Sequence, residues 1–226
     1  MTDRRFTLVD AATVLTTVVI GAVALWVLIQ APDVPYPMHF NASGEVDRWG
    51  DRRELALLFG FMALMAAITA GMMGWYAGAS DDPARRRSLR AGQAVSLLSI
   101  GGVSAIIGWA SLGATVGAGP PSIGWTMALT GLILVAVGAG LGRVGPNPVI
   151  GVRTPWSYKS RLAWDRSNRL AGRLFFWLGL GLILSAPIAP QPAGSVFMFV
   201  LITGAALWSV FESWRVWRSD PDRQPF

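Results

Sequence analysis

The stretch Ala11–Ile29, AATVLTTVVIGAVALWVLI, runs for nineteen residues without a charge. A bilayer core about 30 Å thick takes roughly 20 apolar residues at 1.5 Å each, so the run is long enough to cross as a helix. It is apolar on every side. A lipid-facing barrel strand would alternate polar and apolar residues, and a helix satisfies its own backbone in hydrocarbon. Five further runs follow, at 55–77, 94–116, 123–141, 174–188 and 196–211, of which the last two are the shortest. With 53% hydrophobic residues, 14% charged residues and a mean hydropathy of +0.46, the composition lies outside the soluble globular range. The fold class expected is an all-α membrane protein, a six-transmembrane-helix bundle. The first run follows MTDRR, exceeds a typical signal-peptide core and lacks a small-x-small site before APDVPYP, so it is read as a retained helix. There is no cysteine, which excludes disulfides, thiolate nucleophiles and thiolate metal ligands.

Charge sets the expected orientation. Of the 19 Lys and Arg residues, 16 fall in alternate segments: before the first run, between runs two and three, between runs four and five, and after run six. The other three, Arg48, Arg52 and Arg53, lie in the first loop. Basic residues stay cytoplasmic, so both termini and loops two and four are read as inside. The net +6 then divides into +8 inside and −2 outside, and the basic balance points to anionic phospholipids rather than to direct nucleic-acid binding. Only Asp10 and Glu212 touch the runs, both at their edges, which argues against proton relays, ion-coupled transport and voltage sensing. Four-residue glycine spacings, Gly74 to Gly78, Gly113 to Gly117 and Gly138 to Gly142, are read as close packing within one bundle.

Three regions follow from this division. Residues 1–78 hold two spans and an extracytoplasmic loop, 31–54; residues 79–142 hold a linker and spans three and four; residues 143–226 hold an inner loop, 143–173, two spans and a basic tail. In the outer loop, Pro32, Pro35 and Pro37 impose an extended exit from the membrane, and NASG supplies a turn in which Gly44 is free to take positive φ. His39, the single histidine, sits near Asp33, Glu45 and Asp47 in no standard ligand spacing; it is read as a hydrogen-bonding residue of a compact loop, with Tyr36 and Trp49 at the headgroups. No metal and no cofactor is expected.

The inner loop begins GPNPVIGVRTPW, Gly145–Trp156, where glycine and proline preclude a regular helix. From 157 to 171 neither occurs, so Ser157 is expected to cap a helix lying at the interface, with Trp156 and Trp164 in the headgroups and Lys159, Arg161, Arg166, Arg169 and Arg173 on phosphates. The apolar NPVIG is expected to fold back on the bundle, its backbone satisfied by Asn147 and Arg153. Two readings of this segment stand: a docking element, and a rigid re-entrant connector.

PDVPYPMHFNASGEVDRWGDR resembles a short N-terminal module of unknown function in bacterial membrane proteins, and GPNPVIGVRTPWSYKSRLAWDRSNRLAG resembles the signature of the SdpI immunity-protein family. The resemblance implies a non-enzymatic inner-membrane protein that protects its cell from a secreted peptide toxin. It further implies a signal receptor that holds a small cytoplasmic repressor at the membrane. The binding residues so implied are Asn147, Pro148, Gly151, Arg153, Thr154, Pro155, Trp156, Ser160 and Trp164 inside, and Pro37, His39, Asn41, Gly44 and Trp49 outside. Two other classes remain: a transporter or channel, and a lipid-headgroup enzyme with the arginines as a phosphate clamp and Asp165 as base.

Overall fold

The structure, a computed structural model, describes residues 6–113, 117, 122–147 and 149–224. Among them are seven helices and one hairpin: α1 Leu8–Ile29, β1 Tyr36–Phe40, β2 Val46–Gly50, α2 Arg52–Gly78, α3 Pro83–Leu112, α4 Ile123–Leu141, α5 Pro155–Tyr158, α6 Arg161–Ser185 and α7 Ala193–Ser219. Five of these, α1, α2, α3, α4 and α7, are long and apolar enough to cross a membrane. The end of the third run and most of the loop at 117–122 lie outside the described residues.

Helix starts follow from local chemistry. Thr7 and Asp10 form a reciprocal capping box on α1, Asp51 accepts from the amides of Arg53 and Glu54 at the head of α2, and Asp82 with Pro83 starts α3. Each cap satisfies amide donors that the helix itself leaves unpaired. The most extensive pairings are α4 with α6 and α1 with α2. Glycine makes the first possible. A methyl group at Gly138 would lie 2.7 Å from the Gly172 carbonyl oxygen, and one at Gly131 would lie 2.7 Å from the Gly179 carbonyl oxygen, so the two backbones touch at two levels seven residues apart. Large apolar side chains such as Leu57, Leu184 and Phe199 point outward, as a lipid-facing surface requires.

The contacts divide into two ends. At one, the starts of α1, α3 and α6 meet the ends of α2, α4 and α7; at the other, the hairpin lies against α3, and its turn meets Ser195 at the start of α7. Asp10 is not a passive edge residue. Its carboxylate accepts from Arg90 and, at 3.0 Å, from Gln93, whose amide also donates to Thr13 at 2.9 Å, and Gln93 is only 1% exposed. Two helices, α1 and α3, are tied by this cluster, and the absence of a side chain at Gly74 of α2 leaves room for it.

The inner connection corrects the sequence reading. The cap expected at Ser157 belongs instead to Ser160, which opens α6, and Thr154 caps the separate one-turn α5. No independent interfacial helix forms over 157–171. That segment is the first part of α6, continuous with the fifth apolar run, because nothing between Arg161 and Ser185 breaks the helix.

Candidate functional site

The outer loop is a hairpin. β1 pairs antiparallel with β2, Tyr36 opposite Gly50 and Phe40 opposite Val46, with an irregularity around His39. Asn41 builds the turn: its Oδ1 accepts from the amides of Ser43 and Glu45 at 2.9 and 3.0 Å, and its Nδ2 donates to Glu45 at 3.1 Å. Gly44 takes φ +82, and a Cβ there would also strike Ile123, so turn geometry and packing both require glycine. His39 Nδ1 lies 2.6 Å from Asp47 Oδ1 in an exposed pair, the internal hydrogen bond the loop was expected to hold. Such a surface pair contributes at most about 1 kcal/mol.

Tyr36 is fully buried rather than at the headgroups. Its ring joins Val27, Leu55 and Phe59 in the core, its hydroxyl donates to the Pro32 carbonyl at 2.8 Å, and burial pushes its ionisation up. Pro37 is buried beside it and accepts from Ser111 at 2.8 Å, while Trp49 is exposed. Between the turn and helices α3, α4 and α7 lies an apolar cavity of about 480 Å³, lined by Phe40, Ala42, Gly44, Ala110, Ile123 and Phe199 among others.

At the other end, the segment from Gly145 folds into a cap, and its polar side chains are consumed in building it. Asn147, 5% exposed, makes four bonds: Nδ2 donates to the carbonyls of Gly145 and Ile150 at 2.9 Å each, and Oδ1 accepts from the amides of Val149 and Ile150 at 2.8 and 2.7 Å. Val149 and Ile150 can then pack on Met73, Ala77, Leu89 and Val144. The fold-back expected from sequence is present, and Asn168 also serves its backbone, its Oδ1 accepting from the Val152 amide at 2.8 Å. Gly151 has φ +125, and a Cβ there would lie 2.6 Å from Asn168 Oδ1. Pro148 lies outside the described residues.

Thr154 and Ser157 cap α5 reciprocally, and the Thr154 hydroxyl meets Ser213 of α7 at 2.8 Å. Ser160 donates to Asp220 beyond the end of α7, and that bond holds the Asp220 carboxyl below the usual carboxylate range. The depressed value means that this contribution is present above the unfolded carboxylate range and is lost as pH falls through the folded one, so the tail remains pinned at neutral pH. Trp164 corrects a second expectation: it is wholly buried, donating from Nε1 to the Val144 carbonyl at 3.0 Å, so it is a pillar of the cap and not a headgroup anchor. Trp156 is half-buried. What the cap leaves exposed is Arg153, Pro155, Tyr158 and Lys159, continuing into Arg161, Leu162, Asp165, Arg166 and Arg169 on α6, a mainly basic row with one carboxylate.

Thus Asn147, Gly151, Thr154, Ser160 and Trp164 converge in one network, whereas Arg153 and Pro155 face outward from it. Sequence reading missed Ser88, which accepts from the Gly145 amide at 2.6 Å, and also Ser213 and Asp220, because nothing local marks partners some sixty residues away. Residues 143–212, which contain the segment that folds into this cap, all of α6, and α7 as far as Glu212, match the SdpI/YfhL protein family. Residues 14–65, which contain most of α1, the hairpin and the first part of α2, match a domain of unknown function, DUF1648. No significant match is found among curated proteins or solved structures. The chain is thus similar to the SdpI/YfhL family over its inner motif and to DUF1648 over its hairpin, the two loops that carry the resemblance.

Proposed function

We propose that this chain is a non-enzymatic, six-span immunity protein of the bacterial inner membrane, with both termini cytoplasmic. In this reading α6 supplies the sixth crossing, through its apolar part from Leu174 onward. The hairpin and its cavity receive a secreted peptide toxin outside, and the exposed row from Arg153 to Arg169 receives a small cytoplasmic repressor inside. The observation that carries the reading is the SdpI/YfhL match over a cap whose polar side chains are buried in its own framework, leaving a shaped basic surface. A framework of this kind holds a contact surface at little entropic cost to binding.

Two experiments test it. The absence of native cysteine makes single-cysteine labelling clean. A cysteine at Ala42 should react with an impermeant maleimide in intact cells, and one at Arg166 only after permeabilisation; the reverse pattern would overturn the orientation. For function, cells expressing the wild type are challenged with membrane-active secreted peptides at matched membrane protein levels. At least ten-fold higher survival is expected for one peptide. Ala110→Trp, which fills the outer cavity, should abolish that protection. Arg153→Lys keeps the charge but loses the planar fork, and should abolish repressor recruitment while sparing protection. Wild-type cells as sensitive as empty-vector cells to every peptide would remove the immunity reading.

A further inference from the structure

Between α6 and α7 runs a groove of about 970 Å³, and at the level where α4 ends it meets a second cavity of about 520 Å³. The two share Arg173 and Trp177. The larger is apolar along its length, through Leu174, Leu178, Gly181 and Phe197, and polar only at Arg173 and Ser185 among its side chains. The smaller is basic, with Arg143, Arg169 and Arg173 and no carboxylate in its lining. Arg169 reaches Asp165 at 3.9 Å, but among the described residues neither Arg143 nor Arg173 is paired with a carboxylate.

Dimensions and charge together select an occupant. From Arg173 to Ser185 the helix rises about 18 Å at 1.5 Å per residue, and the lining continues through Ala189 and Pro190 to the start of α7, so the groove is long enough to take an acyl chain. An apolar groove of this length with two guanidinium groups at one end, neither paired with a carboxylate among the described residues, complements a molecule with a hydrocarbon chain and an anionic head. Arginine's planar donors match a phosphate in pairs, which a neutral or zwitterionic head exploits less well. We propose that this groove holds one anionic glycerophospholipid of the inner leaflet, its phosphate on Arg143 and Arg173, its glycerol beside Trp177 and one acyl chain between α6 and α7. The inference does not depend on the immunity reading. Arg173 lies twelve residues into a helix whose start carries the cap, so a lipid held there braces the element that presents the inner surface.

The test is native mass spectrometry of the full chain released from micelles containing equal amounts of phosphatidylglycerol and phosphatidylcholine. One retained phosphatidylglycerol per chain is expected, favoured at least ten-fold over phosphatidylcholine. Arg143→Gln with Arg173→Gln should reduce that preference about ten-fold. Gly181→Phe should remove the adduct, since a Cβ at Gly181 meets nothing within 4 Å and the ring has the groove to enter. Leu178→Trp fills the groove from another position, and an unchanged thermal midpoint certifies each variant as folded. Equal retention of the two lipids, or a preference that survives both the arginine and the groove-filling variants, would overturn the proposal. So would displacement of the lipid by glycerol phosphate alone, which would make the arginines a simple anion site, or a second copy of the chain released by groove filling.

Discussion

Gly138→Ala should lower the thermal midpoint of the detergent-solubilised protein, whereas Gly204→Ala should leave it unchanged or raise it slightly. The chemistry of the two substitutions is identical. At Gly138 the new methyl would stand 2.7 Å from the Gly172 carbonyl oxygen and 2.8 Å from the Phe176 Cα, and these are backbone atoms that cannot rotate away. The helices must separate, and because Gly131 and Gly179 make the same approach seven residues along, separation loosens both levels. Overpacking of this kind costs about 1–3 kcal/mol, towards the upper end where the neighbour is backbone. At Gly204 a Cβ meets nothing within 4 Å, and replacing glycine by alanine in a helix gains up to about 1 kcal/mol. Thermal unfolding followed by circular dichroism reads both. Equal shifts at the two sites would show that α4 and α6 are not held in backbone contact.

The second large effect is expected at Asn147. Alanine there deprives two amides and two carbonyls of their partner, in a segment already packed on Met73 and Leu89. Each buried group left without a bond costs about 1–3 kcal/mol, and water can recover only part of that, so a loss of about 3 kcal/mol is expected. Asn147→Asp should be no better. It keeps the acceptor for Val149 and Ile150 but turns a second oxygen towards the carbonyls of Gly145 and Ile150. Trypsin applied to the face that carries the cap should cut at Arg153 and Lys159 several-fold faster in both variants. Unchanged cleavage would mean that the segment keeps its shape without this side chain.

How much of this could be read beforehand depended on the range of the interaction. The helices were legible because an apolar run is a local property, and the turn at Asn41 to Gly44 because its residues have few alternative conformations. The fold-back of NPVIG was legible as a need, since apolar residues between prolines must bury somewhere. The role of Trp164 was not. Its spacing suits a headgroup anchor as well as a pillar, and only the arrival of Val144 over its indole decides between them. The start of α6 was misplaced by three residues because Ser157 and Ser160 are equally good caps in isolation. Asp220, which accepts from Ser160 across sixty residues, favours the second. The sequence shows an extended exit and a turn but not the strand pairing between them, because the partner of β1 is set by the turn and by Tyr36 entering the core.

The tie between Asp10 and Arg90 has a temporal side. Eighty residues separate the two in the chain, and at about 5–20 residues per second their synthesis is about 4–16 s apart. During that interval the first helix carries a carboxylate whose cation has not yet been made. Water must serve in its place, so the amino-terminal turn of α1 rests at the aqueous boundary until α3 is delivered. In the finished chain Arg90 and Gln93 hold that carboxylate instead.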